Sequence, residues 1–436
     1  MKKHLEHLNG SLLHYVRQNG TGASERTRPY FEWSTHRSLH QVFPYQRTAE
    51  SKVGREVSLA GDHGRVTINF SSQDYLGLAQ DGRMIKAAMR GARDFGVHSA
   101  GSPAFCGSTR VLRELESSIG AVIGAPEVVI YPTGWAAGYG VPVALIRADD
   151  LILMDALSHN CIQEGARAST AEVKKFRHND LVELEELLAK SRSANAKRGI
   201  FVLVESLYSM DSDCPDLKAL LDLCEQYEAI SILDVAHDFG SMGRTGKGLL
   251  ESVPGRLPDV VLGSFSKTFA ANGGFAATSP EVAIYLRCYS PTNLFSNAIS
   301  PMQTCVAKEA FDIAFSPEGD LLRAKLLDRV LHLRAGMTAA GLYVHGEPSA
   351  ICPVFVGDEA FARLTSKYVF DLGMAANLVE FPAVARGKAR FRFQLMATHE
   401  PEDLDRAVAI MREGRNLAKE ELERLMETGR CKQTPA

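Results

Sequence analysis

The chain has 436 residues, of which 45% are hydrophobic and 23% are charged, and its formal net charge at pH 7 is −3. This length and composition predict a globular protein with one large core and a smaller one. The nearly balanced charge excludes the basic surface that would bind nucleic acid or an anionic membrane.

The N-terminal residues and the cysteines indicate where in the cell the protein is located. Residues 1–7 carry charges where a signal peptide needs an apolar stretch, and the longest apolar run, residues 135–146, is broken by glycines and Pro142. Eight cysteines occur without a C-x-x-C pair, which is typical of reduced thiols and not of a zinc site or a disulfide framework. We expect a cytoplasmic protein with no membrane span and no metal.

The first 68 residues predict an N-terminal helix and an arm. Residues 2–18 place Leu5, Leu8, Leu12 and Val16 at helical spacing. Residues 21–57 mix aromatic and charged side chains without a clear period, which favours an arm that packs against other parts of the protein. A disordered tail would contain fewer aromatics.

From residue 127 onward, short β-branched runs alternate with segments of helix length. The predicted strands are residues 128–131, 151–155, 200–205, 230–234, 260–263 and 274–277. Strands that alternate with helices indicate a mostly parallel sheet covered on both faces. The sequence therefore predicts a large α/β domain over residues 69–300.

The remaining chain, residues 301–436, predicts a smaller C-terminal α+β domain. Helical periodicity covers residues 301–315 and 321–337, and a charged helix covers residues 401–426. Candidate strands lie at residues 351–356 and 389–394.

Ligands of such sheets bind beyond the carboxyl ends of the strands, so the residues there are considered together. Thr133-Gly134-Trp135 follows the first strand and opens a helix, whose free amides favour an anion. Ser158-His159 follows the second strand, and its histidine could lie flat against an aromatic ring. A lone histidine is more often an ordinary surface or core residue.

The next two strand ends carry a hydroxyl and a carboxylate. Ser209 follows the third strand and could contact a phenolic oxygen. The nearby Asp211-x-Asp213 does not form a calcium-binding loop, because the glycine and the glutamate that such a loop requires are missing. Asp234-Val-Ala-His237 follows the fourth strand. A buried carboxylate needs a cationic partner such as a pyridinium nitrogen, although a helix N-cap is the simpler interpretation for the aspartate alone.

The strand at residues 260–263 leads into Ser264-Phe-Ser266-Lys267. A lysine at such a strand end can be partly desolvated, which lowers its pKa and frees the amine for Schiff-base chemistry, and the hydroxyls suit a phosphate. A serine acylase with the S-x-x-K motif is excluded, because the K-T-G-like element of this chain precedes the lysine, whereas in that family it follows the lysine. Four groups thus follow one another at successive strand ends: a turn that suits an anion, a histidine that could face a ring, a carboxylate and a lysine. Together they predict pyridoxal 5'-phosphate (PLP) as cofactor.

Residues 69–412 resemble the α-oxoamine synthases of PLP fold type I. The motifs that carry the resemblance are Phe70-Ser-Ser-Gln73-Asp74-Tyr75-Leu76-Gly77-Leu78, Cys106-Gly107 with Glu114-Leu-Glu116, Asp155-x-x-Ser158-His159, Tyr208-Ser209-Met-Asp211, Asp234-x-x-His237, Ser266-Lys267 and Ala389-Arg390-Phe391-Arg392.

The resemblance implies a decarboxylating condensation of an amino acid with an acyl thioester, carried by coenzyme A or a carrier protein. Lys267 would hold PLP and act as the base, with His159 on the ring. The other residues that the resemblance implies are Asp234 at the ring nitrogen, Ser209 and His237 near the phenolic oxygen, Gly134, Trp135 and Ser264 at the phosphate, Ser296 and Asn297 from a second subunit of a homodimer, and Gln73 and Arg392 at the amino-acid carboxylate.

Three departures from the family pattern bear on the substrate and the dimer. Gln73 replaces a usual asparagine, Leu112 a common histidine and Asn297 a common threonine. The longer Gln73 predicts a small amino acid such as glycine, alanine or serine. The N-terminal extension could be part of an acyl tunnel or a dimer arm. Alternatives are a PLP lyase, aldolase or aminotransferase of the same fold, or a cofactor-free binding protein.

Overall fold

The computed structural model describes residues 8–16, 18–61 and 64–427. Its strands are β1 (Glu56–Val57), β2 (Thr67–Phe70), β3 (Glu127–Tyr131), β4 (Leu151–Asp155), β5 (Glu172–Phe176), β6 (Ile200–Glu205), β7 (Ile230–Asp234), β8 (Val260–Ser264), β9 (Gly274–Thr278), β10 (Ile351–Gly357), β11 (Met374–Val379) and β12 (Ala389–Gln394).

The α-helices are α1 (Ala23–Leu39), α2 (Gly82–Phe95), α3 (Arg110–Ile123), α4 (Gly134–Leu145), α5 (Asn160–Ala168), α6 (Leu181–Ala194), α7 (Leu217–Gln226), α8 (Pro280–Tyr289), α9 (Pro291–Leu294), α10 (Pro301–Ala314), α11 (Pro317–Ala339), α12 (Glu359–Asp371) and α13 (Pro401–Glu427). Within the described ranges, none of them is both long and apolar enough to cross a membrane.

One compact unit comprises Gln73–Ser209 and Asp213–Leu326. In its described residues, a seven-stranded sheet has the order β3-β9-β8-β7-β6-β4-β5. The strands from β8 to β5 in this order run parallel, and β9 is antiparallel to both β3 and β8. The predicted mostly parallel sheet is therefore confirmed.

Burial explains why the sequences of these strands are continuous apolar runs. Every residue of β4, β6 and β8 is buried, as expected for parallel strands with helices on both faces. Side chains of α4 and α5, including Val141 and Ile162, pack with Ile152, Leu203 and Leu262 in one core cluster. A sheet buried in this way leaves its carboxyl ends as the natural place for polar groups.

The other compact unit comprises Met1–Ser72, Met210–Ser212 and Leu327–Ala436. Its described residues form a five-stranded sheet in the order β1-β2-β11-β12-β10. The N-terminal strand β2 pairs in parallel with β11, whereas β11 and β10 both pair antiparallel with β12. The arm that precedes the large unit thus belongs to the same sheet as the C-terminal strands.

The N-terminal segment differs from its prediction. Residues 2–7 and 17 of the expected helix over residues 2–18 lie outside the described residues, and in the remainder Leu12–Tyr15 form a 3-10 turn. Residues 23–39, predicted as part of an irregular arm, form the helix α1. The hydrophobic periodicity of α1 is weak because the helix buries only Trp33 and Arg37 and contains Pro29. Few of its residues therefore form an apolar face.

Candidate active site

A cleft lies at the carboxyl ends of the parallel strands of the seven-stranded sheet. It is lined by Gly134, Trp135, His159, Cys161, Glu205, Asp234, Ala236, His237, Leu262, Gly263, Ser264 and Lys267. Seven residues that the sequence singled out are among them: Gly134, Trp135, His159, Asp234, His237, Ser264 and Lys267. The structure therefore brings together side chains that are separated by more than a hundred positions in the chain.

One end of the cleft suits an anion. Thr133 caps α4 by accepting from the Ala136 backbone N–H at 3.0 Å, which leaves the first amides of the helix directed outward. Gly134 faces Ser264 so closely that a Cβ at Gly134 would lie 2.6 Å from Ser264 Oγ. A glycine amide, a helix N-terminus and a serine hydroxyl together form a cradle of hydrogen-bond donors that suits a phosphate.

His159 is held by hydrogen bonds at the start of α5 and is an exposed residue. It caps α5: its Nδ1 accepts from the Cys161 backbone N–H at 3.2 Å, while its own backbone N–H donates to Glu205 Oε1. The residue as a whole is exposed to the cleft side of the turn. An imidazole held in this way can pack flat on an aromatic ring.

Two carboxyl groups lie side by side at the middle of the cleft. Glu205 and Asp234 end neighbouring parallel strands and are partners in the β6–β7 register. Burial and, next, the charge of Asp234 raise the pKa of Glu205 well above its ordinary value, which favours its neutral form. Asp234 Oδ1 accepts from the Ala236 backbone N–H at 2.9 Å, so one carboxylate of fixed orientation remains for a cationic ring nitrogen.

Lys267 and His237 are positioned by aromatic neighbours. The fully buried rings of Phe265 and Phe269, 6.0 Å apart at their centroids, flank Lys267 in sequence and anchor its turn. His237 is buried, and its Nδ1 lies 2.9 Å from the hydroxyl of Tyr75, which is also buried. These contacts hold the turn of Lys267 and the imidazole of His237 at the cleft.

The other predicted residues lie elsewhere. Ser209 is buried after β6, Gln73 and Ser296 are half-buried, and Asn297 is exposed with its Nδ2 3.4 Å from His98 Nε2. None of these residues is among those that line the described cleft.

Arg392 lies on β12 of the five-stranded sheet. Its Nη1 is 3.9 Å from Met210 Sδ, and the Gln394 amide, with its oxygen turned toward Arg392, accepts from Nη2 at 2.7 Å and from Nε at 2.8 Å. Arg392 is thus positioned by a neutral amide and a thioether.

Sequence reasoning missed three features of the site. Glu205 received no role, although it ends a buried strand as Asp234 does. Tyr75 was noted only as part of a motif. The imidazole of His178, whose Nδ1 lies 2.9 Å from Asp155 and whose Nε2 lies 2.8 Å from Asp213, was not singled out at all. His178 lies two residues after the end of β5, and because the sequence did not predict this strand, no local signal indicated the histidine.

Comparisons with known proteins agree with this geometry. The family described as aminotransferase class I and II matches residues 65–411. The chain is 32% identical over 381 residues to 2-amino-3-ketobutyrate coenzyme A ligase of Escherichia coli, covering 86% of this chain and 94% of that protein. It is 34% identical over 347 residues to 8-amino-7-oxononanoate synthase of Coprothermobacter proteolyticus, covering 79% and 87%.

Solved structures match over nearly the whole chain. Serine palmitoyltransferase of Sphingomonas wittichii superposes with a TM-score of 0.84 at 24% identity, covering 92% of this chain and 99% of that one. A high-resolution structure of SPT with its PLP internal aldimine gives a TM-score of 0.85 at 23% identity, covering 91% and 99%. At this identity the likeness establishes the fold, which is that of the PLP-dependent enzymes of fold type I.

Proposed function

Since the chain belongs to the α-oxoamine synthase family of PLP-dependent enzymes, we propose that it condenses a small amino acid with an acyl thioester, releasing carbon dioxide, free thiol and an α-amino ketone. The observation that carries the proposal is the cleft in which Lys267, Asp234, His159 and the Gly134–Ser264 cradle meet. The donor set fits PLP: an anion cradle, a flat imidazole, a carboxylate and a half-buried amine.

Each residue of the cleft has a role in holding the cofactor. Ser264 and the amides at Gly134 and Trp135 would bind the phosphate, and His159 would pack on the ring. Asp234 would pair with the ring nitrogen, beside Glu205, whose raised pKa favours its neutral form. His237, with Ser209, would donate toward the phenolic oxygen.

When bound, PLP supplies an electron sink for negative charge at the Cα of the amino acid. The amine of Lys267 would anchor the cofactor, remove the Cα proton of the amino acid and return a proton after carbon dioxide is lost. The planar guanidinium of Arg392 would hold the carboxylate of the amino acid in two hydrogen bonds. The family pattern assigns Gln73 to the same carboxylate.

The reaction is tested by a screen of amino acids against acyl thioesters of graded length, with released thiol as the readout. Wild-type protein is expected to release thiol and carbon dioxide in equal amounts with at least one pair, and Lys267→Ala to release neither. A visible absorbance band of the bound cofactor should be present in the wild type and lost in Lys267→Ala. Amino-acid turnover without any thioester would instead indicate the lyase or aldolase reaction.

The amino acid is proposed to be small because Gln73 is longer than the asparagine that the family usually carries at this position. Titration of the holoenzyme with glycine, alanine, serine and bulkier amino acids should change the visible spectrum at lower concentration for the three small ones. Tight binding of a bulky amino acid alone would contradict this proposal.

The assembly and location are also proposals. We infer a homodimer with shared active sites, in which Ser296 and Asn297 would reach the phosphate of the neighbouring subunit. A cytoplasmic location is supported by the eight cysteines without a C-x-x-C pair.

A further inference from the structure

A third carboxyl group lies near the two that end β6 and β7. Asp238 directly follows His237 in the turn after β7, and only 1% of the residue is exposed. It is not among the residues that line the cleft. Asp238 can therefore affect a bound cofactor only through its charge and through the residues beside it.

Two hydrogen bonds hold the Asp238 carboxyl group. Ser206 Oγ donates to Oδ1 at 2.6 Å, and the Leu249 backbone N–H donates to Oδ2 at 2.7 Å. Gly248 permits this close approach, because a Cβ at that position would collide with Oδ2. Since both partners donate to the carboxyl oxygens, the contacts suit the ionised form of Asp238.

Ser206 also connects Asp238 to Asp234. The Ser206 backbone N–H donates to the Asp234 carbonyl at 2.9 Å, and Ser206 Oγ lies 3.1 Å from the same oxygen. Ser206 directly follows Glu205, which is the register partner of Asp234. One serine thus joins the ends of β6 and β7 to the buried carboxyl group of Asp238.

The ionisation of Asp238 depends on pH. Burial is the largest cause that raises its pKa, to about 6, while the hydrogen bonds from Leu249 and Ser206 lower it and the charge of Asp234 raises it. Asp238 is therefore largely neutral at pH 5 and ionised at pH 8. Within the described ranges it has no cationic partner, so its buried negative charge favours the arrival of a cation nearby.

Other charged and titratable groups lie on the elements around Asp238. They are Glu205 on β6, Asp234 and His237 at the end of β7, Arg244, Lys247 and Glu251 on the turn that leads to Leu249 and just beyond it, and Arg323 on α11. Glu251 accepts backbone N–H groups of that turn, and Arg323 pairs with Asp320. The carboxyl groups among them that line the cleft are Glu205 and Asp234.

We propose that Asp238 is a positioning residue for the cofactor, whose carboxylate, held by Ser206 and Leu249, supports Asp234 in attracting a protonated ring nitrogen. The inference rests on the proposed pairing of Asp234 with the ring nitrogen of PLP. It adds that the charge of Asp238, and not only its hydrogen bonds, contributes to cofactor affinity.

The experiment compares the Kd of PLP for wild type and Asp238→Asn at pH 5 and pH 8, after removal of the cofactor. Binding is followed by the quenching of tryptophan fluorescence, since Trp135 lines the cleft, and by the visible band of the bound cofactor. Asparagine has the size of aspartate and can still accept from the Leu249 N–H, so the variant removes mainly the charge. The ratio of variant Kd to wild-type Kd should be close to one at pH 5 and about threefold to tenfold at pH 8.

Glu116→Gln is the matched control. Glu116 is also a buried carboxyl group that accepts a backbone N–H, that of Ile130 at 3.3 Å, but it does not line the cleft. Its Kd ratio should be the same at the two pH values.

Asp234→Asn tests the underlying pairing separately, because it should weaken PLP binding at both pH values. An unchanged Kd in Asp234→Asn would refute the pairing itself. Weaker binding in Asp234→Asn without an effect of Asp238→Asn would overturn only the role of Asp238.

A Kd ratio for Asp238→Asn that is the same at pH 5 and pH 8 would also overturn the proposal, because a purely structural contribution does not follow the ionisation of this carboxyl group. Ser206→Ala is the second variant if Asp238→Asn does not fold. It removes a donor to the carboxylate and so raises the pKa of Asp238 further. The rise of PLP affinity with pH should then occur at a higher pH than in wild type, and an unshifted rise would contradict the proposal.

Discussion

At the scale of single residues, the electrostatics of the cleft depend on the protonation of its two neighbouring carboxyl groups. Glu205 and Asp234 end adjacent strands as register partners. Two ionised carboxylates in such neighbouring positions would repel each other. Burial raises the pKa of Glu205, so its neutral form accepts the His159 backbone N–H without adding a second negative charge. Glu205 is therefore a positioning residue for the turn that carries His159.

This role predicts different results for two substitutions of Glu205. Glu205→Gln keeps an acceptor of the same size and should leave the free energy of unfolding within about 1 kcal/mol of wild type, whereas Glu205→Ala leaves the His159 N–H without this acceptor and should cost about 1–3 kcal/mol. Urea unfolding of the two variants measures the difference. Equal destabilisation by Gln and Ala would contradict the role.

At the scale of elements, His178 connects the turn after β4 to the loop after β6. Its two ring nitrogens face carboxylate oxygens of Asp155 and Asp213, which can only accept, so both nitrogens must carry hydrogen. Burial alone would lower the pKa of His178, but the hydrogen bonds and charges of the two aspartates outweigh it and raise the pKa from 6.5 to about 10. Asp155 also accepts from the backbone N–H of Leu157 at 2.8 Å, and Leu157 lies two residues before His159.

The raised pKa predicts a pH dependence of stability. The imidazolium stabilises the folded state fully below pH 6.5, where the unfolded chain is also protonated, and this contribution is lost as pH rises from about 6.5 to about 10. His178→Gln should therefore cost on the order of 3 kcal/mol at pH 6 for two charged hydrogen bonds, and progressively less at pH 8 and pH 10.

The measurement is urea unfolding of wild type and His178→Gln at the three pH values. His332→Gln is the matched control, because His332 forms a more exposed pair with Asp405 at 2.7 Å, and such pairs contribute little. A destabilisation by His178→Gln that does not change with pH would show that the histidine acts through packing and not through its charge.

At the scale of the whole molecule, two linked loops of the large unit present exposed aromatic rings. Ala298 donates to the Gly101 carbonyl at 2.9 Å, and Ser102 Oγ to the Leu294 carbonyl at 2.7 Å. These loops carry Phe105 and Phe295, which are 82% and 84% exposed. Large apolar side chains on a surface mark interaction sites, and Ser296 and Asn297 directly follow Phe295.

The proposed dimer predicts that Phe295→Asp shifts the protein toward monomers and lowers kcat, since the phosphate contacts from the second subunit would be lost. Sedimentation at several protein concentrations, together with thiol release, measures both effects. Val182→Asp is the control, because Val182 is 70% exposed on α6, away from these loops in the chain. A Phe295→Asp variant that is monomeric and fully active would contradict shared active sites.

The sequence by itself determined the strands and helices whose signals are local. The runs at residues 151–155, 200–205 and 230–234 were predicted with their observed bounds, because strands buried on both faces are apolar throughout. The strand β5 was missed because it is an edge strand whose middle is charged. Likewise β2 was missed because it pairs with β11 about 300 positions away, and no local pattern records a distant partner.

The same distinction holds for the site. The sequence placed Gly134, His159, Asp234 and Lys267 at strand ends, and the parallel topology brings the ends of such strands to one edge. Only the tertiary structure decided their partners, which include Tyr75 beside His237 and Glu205 beside Asp234. The physical reason is that strand formation and burial follow from neighbouring residues, whereas pairing of charges and donors depends on which distant segments the fold brings within 3–4 Å of each other.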